Sequence, residues 1–279
     1  RYLSYFFNTP VNLSRVDGLA TGTTRRRVRR ADLARLEIPV PPLNEQRAIA
    51  GVLGALDDKI ESNRRISQNL RQLIKIEWDV AKDESWSTKS LSSLASFVNG
   101  GAFTKNATGS GRMVIRIAEL NSGPGGSTIY NELDVPDEKV ARSGDILMSW
   151  SGSLGVYVWV RDEAIINQHI FKVIPHECPT WLVFNCLNEA LPFFQQTASD
   201  KATTMGHIQR HHLDDAQVQV PSSEALQTMD VAVNPMWQRM ILSEVEALEL
   251  ADLRDSLLPD LLSGRLRARD AETVVEEVV

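Results

Sequence analysis

The densest set of side chains able to do chemistry is basic. Arg25, Arg26, Arg27, Arg29 and Arg30 fall within six residues. Their planar guanidinium forks suit phosphate oxygens, which makes nucleic-acid contact one reading and a solvated charged turn the other. His207, His211 and His212 also lie close together, but no Cys or acidic residue completes a zinc spacing with them. Asp214-Asp215 reads as an acidic turn. There is no phosphate-binding loop of the Walker A type and no nuclease carboxylate cluster. An Asn-Pro-Pro-Phe type of methyltransferase motif is missing too, since the only Asn-Pro is Asn234-Pro235, followed by Met236. The expectation is a non-catalytic chain with no metal and no cofactor.

The arginine cluster sits in a segment that occurs twice, 180 positions apart. Thr23 matches Thr203, Thr24 matches Thr204, Val28 matches Ile208 and Arg30 matches Arg210. Leu33 matches Leu213, Ile38 matches Val218, Val40 matches Val220 and Pro41 matches Pro221. A period this long marks a duplicated domain rather than a solenoid. The first copy is expected to be cut short, because little precedes Thr23. Where the first copy has its arginines the second has Met205, Gly206, His207, Gln209 and Arg210. Such divergence suits two domains reading different sequences, and it equally suits drift.

Composition bounds the rest. A chain of 279 residues with 43% hydrophobic and 24% charged residues is globular in type. No apolar run approaches the roughly 20 residues that span a bilayer. Two cysteines, Cys178 and Cys186, are too few for a disulfide framework, so a cytoplasmic protein with reduced thiols is expected. The chain opens on Arg1 without a signal peptide, which suggests a fragment or trimmed product. The net charge of -6 is unevenly spread: residues 1–41 carry 8 Lys/Arg against 3 Asp/Glu, and residues 221–279 carry 5 against 12. A phosphate-binding face is therefore expected only locally.

Around these residues the pattern predicts a short strand at Leu36–Val40, stopped by Pro41-Pro42. Ile49, Val52, Leu53, Leu56, Ile60, Ile66, Leu70, Leu73 and Ile74 then recur at three and four. They predict one helix from Asn44, its expected cap, to Ala81, about 55 Å long at 1.5 Å per residue. Asn63 lies on or near its sticky stripe, where a buried polar residue can set register. Residues 86–220 alternate strand and turn signals. A short helix is expected in Trp86–Leu94, and strands at Val114, Ile115 and Ile117, at Ile146–Met148, at Val156–Val160 and at Ile170–Ile174. Trp181–Ala190 reads as helix. A second long helix follows, its stripe running from Met229 to Leu257, with Pro235 expected to kink or split it. Residues 267–279 are acidic and expected to fray.

Three blocks of residues resemble a known family, in the order in which the family carries them. Pro41-Pro-Leu-Asn-Glu-Gln-Arg-Ala-Ile-Ala50, with Leu56-Asp-Asp-Lys-Ile-Glu61 and Asn63-Arg64, resembles the first conserved helix of a Type I restriction–modification specificity (S) subunit. Gly144 to Gly155 with Asn167-Gln-His-Ile-Phe171 resembles the core of its target recognition domain. Leu257 to Leu266 resembles its C-terminal end. The resemblance implies an α+β fold, with a mixed target recognition domain and long antiparallel coiled-coil spacer helices. It divides the chain into a remnant of a first recognition domain (1–41), a spacer helix (42–85), a second recognition domain (86–221), a second spacer helix (222–266) and an acidic tail (267–279).

The resemblance further implies a non-catalytic subunit that reads half of a bipartite duplex site. Methyltransferase (M) subunits that modify adenine would dock on the helices, with restriction (R) subunits joining through them. DNA-contact candidates are Arg25, Arg27, Arg30, Lys105, Asn106, Arg112, Ser149, Ser151, Asn167, Gln168, His169, Thr203, Thr204, His207 and Arg210, because Asn and Gln can pair with adenine and Arg with guanine. Asn167 to His169 also have a structural reading, since the family pattern carries them regularly. Partner-binding candidates are Glu45, Gln46, Ile49, Asp57, Asn63 and Arg64. In the second helix Ala225 and Leu226 replace the Glu-Gln pair. A coiled-coil scaffold without DNA specificity, or a half-sized subunit that self-associates, are the alternatives.

Overall fold

The structure is a computed structural model that describes residues 1–22, 25–200 and 206–276. Thr23, Thr24, Thr203, Thr204 and Met205 lie outside the described residues. The chain opens with helices α1 (Tyr2–Phe7), α2 (Pro10–Gly18), α3 (Arg30–Leu33) and the long α4 (Leu43–Ala81). Then come β1 (Ser87–Ser90), α5 (Leu91–Leu94), β2 (Ala95–Asn99), β3 (Arg112–Ile115), α6 (Ile117–Ser122) and β4 (Ile129–Asn131). These are followed by β5 (Val140–Ala141), β6 (Ile146–Ser149), β7 (Gly155–Val158), β8 (Ala164–Ile166) and β9 (Ile170–Pro175). The last elements are α7 (Thr180–Asp200), α8 (His211–Asp215), β10 (Gln217–Val220), α9 (Ser223–Ser263) and α10 (Ala268–Glu276). The fold is α+β with two very long helices, as the pattern predicts. Two compact units divide it: Arg1–Arg65 with Glu246–Val279, and Ile66–Val245. Each long helix contributes residues to both.

In the first unit, α4 presents Ile49, Leu53, Leu56, Ile60 and Asn63, a run of alternating four- and three-residue steps. That seven-residue period is the coiled-coil seam. Ile49, Val52, Leu53, Leu56 and Ile60 form one core with Ala247, Leu250 and Leu261 of α9. Arg254 pairs with Asp57 at 2.8 Å, and Asn63 Nδ2 donates to Glu246 Oε2 at 3.1 Å. Rising numbers on α4 meet falling numbers on α9, so the helices run antiparallel in this unit. Asn63 is 1% exposed, the buried polar position that its place on the stripe predicts. Tyr2 of α1 joins this core and its hydroxyl donates to Pro39 O at 3.0 Å. Thr9 caps α2, accepting from Asn12 N–H at 3.3 Å, with Pro10 at the first helical position.

Several expectations for this unit are corrected. Residues Leu36–Val40 form no strand. A strand needs a partner for its backbone groups, and residues 1–22 supply α1 and α2 instead. The helix starts at Leu43 rather than being capped by Asn44. The Gln46 side chain reaches back instead, its Nε2 donating to Pro41 O at 2.8 Å. The acidic tail does not fray over its described part. Ala268, Ala271 and Val275 recur at three and four, and α10 buries all three in the unit's core while its charges face solvent.

Among the described residues the second unit contains three sheets. β1 and β10 form an antiparallel pair, from Ser87 opposite Val220 to Ser90 opposite Gln217. An antiparallel sheet runs in the order β2-β9-β6-β7. A mixed sheet runs β4-β3-β8-β5, with β3 and β8 parallel. The main core joins strand residues Phe97, Ile146, Met148, Phe171 and Val173 to Leu182, Leu187 and Phe194 of α7. It also takes Ile74 and Trp78 of α4 and Val233, Trp237 and Met240 of α9. Two buried indoles are tied at their polar tips: Trp78 Nε1 donates to Glu189 and Trp181 Nε1 to Asp230, each at 2.7 Å.

The short helix expected within Trp86–Leu94 is present as α5, a single turn that follows β1. Two local expectations change here. Ile117 opens α6 rather than extending β3. Pro235 does not split α9. Pro235 and Val231 lie on the exposed face of the helix, Val231 at 80%. The carbonyl that loses its helical donor is therefore open to water, and the break is tolerated.

Candidate nucleic-acid interface

The loops at one end of the antiparallel sheet converge. β6 ends at Ser149 and its backbone continues along residues 206–208. Gly152 N–H donates to Gly206 O at 3.2 Å, Ile208 N–H donates to Trp150 O at 3.0 Å, and Ser151 forms a bridge with His207. Between β8 and β9 lies Asn167-Gln168-His169, and His169 O accepts from Trp150 N–H at 3.2 Å. Gly100-Gly101, after β2, bridges to Asn167. A Cβ on Gly100 would stand 2.2 Å from the Asn167 and Ile166 carbonyl oxygens. Glycine is therefore required there by close backbone packing. A groove of about 450 Å³ lies beside this end, lined by Gly152, Ser153, Leu154, Gln195, Ala198, Ser199 and Gly206.

The predicted contact residues separate on this platform. Ser149 is fully buried; its hydroxyl donates to Ser153 O at 2.6 Å and accepts from Gly155 N–H at 2.8 Å. It closes the β6–β7 turn and is unavailable to a ligand, which corrects its reading as a DNA contact. Asn167 is also buried, at 8% exposure, and its Oδ1 has no partner among the described residues. Gln168 is exposed and His169 half-buried. Ser151 Oγ lies 3.0 Å from His169 Nδ1, and Gln168 Nε2 lies 3.1 Å from His169 Nε2. His207 is exposed on the adjoining segment, and the exposed Arg210 reaches Phe97 O at 3.5 Å.

Lys105 and Asn106 sit on the long β2–β3 loop, and Arg112 opens β3 opposite Asn131 of β4. Lys105 and Asn106 are exposed, and Asn106 adopts φ +57°. Arg112 Nη2 donates to Leu133 O at 2.8 Å. In the first unit Arg25, Arg27 and Arg30 are exposed. Arg26 is engaged by Asp17 at 2.6 Å.

Sequence reasoning missed Trp150. Its ring lies 5.5 Å from that of His169 and 5.9 Å from Phe171. Its indole Nε1 is buried without a partner among the described residues. The signal was an aromatic residue set between two serines in Ser149-Trp150-Ser151. The platform also rests on α6, where Ile117 Cδ1 lies 3.8 Å from the position of a Cβ on Gly152. Glu119 holds that helix start. It accepts from the Arg116 side chain at 2.6 and 3.0 Å, from Arg116 N–H at 3.0 Å and from the Thr128 hydroxyl at 3.1 Å. Burial pushes its carboxyl up, but the Arg116 guanidinium, that N–H and the hydroxyl outweigh burial and hold it below the usual carboxylate range. Burial raises the thiols of Cys178 and Cys186, which makes both poor nucleophiles.

The partner-binding candidates lie in the first unit. Glu45 Oε1 accepts from Ala268 N–H at 3.5 Å, at the start of α10. Gln46 serves its own helix, Ile49 and Asn63 are buried in the seam, and Asp57 is held by Arg254 and by the Tyr5 hydroxyl at 2.5 Å. Arg64 is the one of the six that is exposed. Among the described residues no group of three or more His, Cys, Asp or Glu could hold a metal ion, and no helix is long and apolar enough to cross a membrane.

Residues 1–72 and 83–242 match the family described as Type I restriction modification DNA specificity domain. The chain is 24% identical over 309 residues to the Type I restriction enzyme MjaIX specificity subunit of Methanocaldococcus jannaschii, across 96% of this chain and 69% of that protein. It is 24% identical over 229 residues to the Type I restriction enzyme EcoBI specificity subunit of Escherichia coli, across 78% of this chain and 46% of that protein. The crystal structure of a Type-I restriction-modification system S subunit from M. genitalium has a similar fold. Its TM-score is 0.63 at 18% identity, covering 93% of this chain and 71% of that one.

Proposed function

The chain belongs to the Type I restriction modification DNA specificity family, and on that premise we propose that residues 86–221 read one half of a bipartite site in duplex DNA. The observation that carries this reading is the convergence of the β6–β7 turn, the β8–β9 loop and residues 206–208 at one end of a buried sheet. Rigid strands hold the exposed Gln168 and the half-buried His169 there, both able to hydrogen-bond. Such a surface suits base edges, whereas the cations that suit phosphates are carried by Lys105, Arg210 and the Arg25–Arg30 run. The antiparallel helices serve as spacer and as the dock for methyltransferase subunits, with restriction subunits joining through those. Five of the six candidate docking residues already make contacts within their own unit, so partners meet the outward faces, at positions such as Arg64. The chain itself contributes recognition and no catalytic group.

The test is selection from a randomised duplex pool by the full chain co-purified with a methyltransferase subunit. Recovered duplexes should share a sequence, and the affinity should fall linearly on a log–log plot against salt. Equal retention of scrambled duplexes would overturn the reading.

A further inference from the structure

Resting on that DNA reading, we propose that His169 is a positioning residue that fixes the Gln168 carboxamide as an adenine-reading edge. The argument begins with two nitrogens. Gln168 Nε2 and His169 Nε2 lie 3.1 Å apart. An amide nitrogen can only donate, so the ring Nε2 accepts and carries no proton. The imidazole proton then sits on Nδ1 and is donated to Ser151 Oγ, 3.0 Å away. Ser151 is 8% exposed and its backbone is bridged to residue 207, so the relay is anchored on the sheet. The Trp150 ring, 5.5 Å from the imidazole, restrains its plane.

One N–H of Gln168 is thus used against the ring. The amide keeps its Oε1 and its other N–H for whatever approaches the exposed loop. An acceptor beside a donor matches the N6 amino group and N7 of adenine in the major groove. With the amide turned over, its outward edge would present two N–H donors, which suit the paired acceptors of guanine. His169 therefore decides which edge is shown. Its neighbours divide the labour: Asn167 is buried, while Gln168 projects.

The experiment repeats the duplex selection with five versions of this chain: wild type, Gln168→Glu, His169→Ala, His169→Gln and Ser151→Ala. Wild type should recover adenine at one position that responds to residue 168. Gln168→Glu should lose that adenine and favour cytosine there, because a carboxylate can only accept. His169→Ala and Ser151→Ala should weaken the adenine preference at that position roughly tenfold, the scale of one bidentate pair, and leave the other positions intact. His169→Gln, whose amide oxygen can accept the same N–H, should restore part of it. Unchanged preference in His169→Ala, or equal erosion at every position, would overturn the inference while leaving DNA reading in place. Recovery of no sequence by wild type would overturn the DNA reading, and this inference with it.

Discussion

The two copies of the repeat carry the same apolar pattern and meet different fates. Ile208, Leu213, Val218 and Val220 are 1–4% exposed, and all belong to the main core of the second unit. Their counterparts Leu33 and Val40 are 42% and 69% exposed, with Val28 and Ile38 half-buried. Local structure is nonetheless shared. Arg27 bridges to Thr21 as His207 bridges to Ser151. A short helix follows each bridge, α3 and α8. Both long helices begin 180 residues apart, at Leu43 and Ser223. The strand is the part that differs. β10 exists because β1 pairs with it, while no strand among the described residues pairs with Leu36–Val40, which stays irregular. Turns and single helical turns satisfy themselves with neighbours in sequence; a strand cannot.

Three paired substitutions would break or sharpen this comparison, each read by urea denaturation of the full chain followed by circular dichroism. The largest contrast is expected at the matched leucines. Leu213→Ala empties a fully enclosed site and should cost about 3 kcal/mol. Leu33→Ala, at an exposed site, should stay within about 0.5 kcal/mol. Equal losses would mean that the first copy is as well covered as the second.

Next come the positions occupied by Arg26 and Gly206. A Cβ on Gly206 would stand 2.7 Å from Ala198 O, so Gly206→Ala should cost about 2 kcal/mol through backbone displacement. Arg26→Gly removes a solvent-exposed ion pair with Asp17 and a hydrogen bond to the Asp17 carbonyl oxygen, and should cost less than about 1 kcal/mol. A harmless Gly206→Ala would show that the second arm is loosely seated.

The smallest contrast lies at the strand ends. Val220→Ala, 4% exposed, should lose about 1.5 kcal/mol for its two buried methyl groups. Val40→Ala should shift the midpoint by no more than the error of measurement. A measurable loss there would indicate that Leu36–Val40 is packed after all.

Much of this was legible in advance wherever the information is local. The three- and four-residue spacing from Ile49 to Ile74 announced α4, and the apolar runs at Ile146 and Ile170 announced central strands. Asn63 could be placed in the seam because the helical period alone assigns it a face. Pattern failed where the answer depended on distant chain. The alternation at Leu36–Val40 is strand-like, yet nothing in those residues says whether a partner is at hand. Pro235 reads as a breaker, yet the side of α9 on which it falls decided that water could take its place. Residues 267–276 looked like a charged tail until the core of the first unit gave Ala268, Ala271 and Val275 somewhere to go.

The site divides along the same line. That Ser149, Ser151, Asn167, Gln168 and His169 can hydrogen-bond is a property of their side chains, visible in the letters. Folding then closed Ser149 inside a turn, buried Asn167, and set Ser151 and His169 within reach across 18 residues of sequence. Residue type fixes which bonds a group can make. Only packing between segments far apart in the chain removes some groups from water and leaves others facing it, because burial is a property of all the surrounding atoms at once.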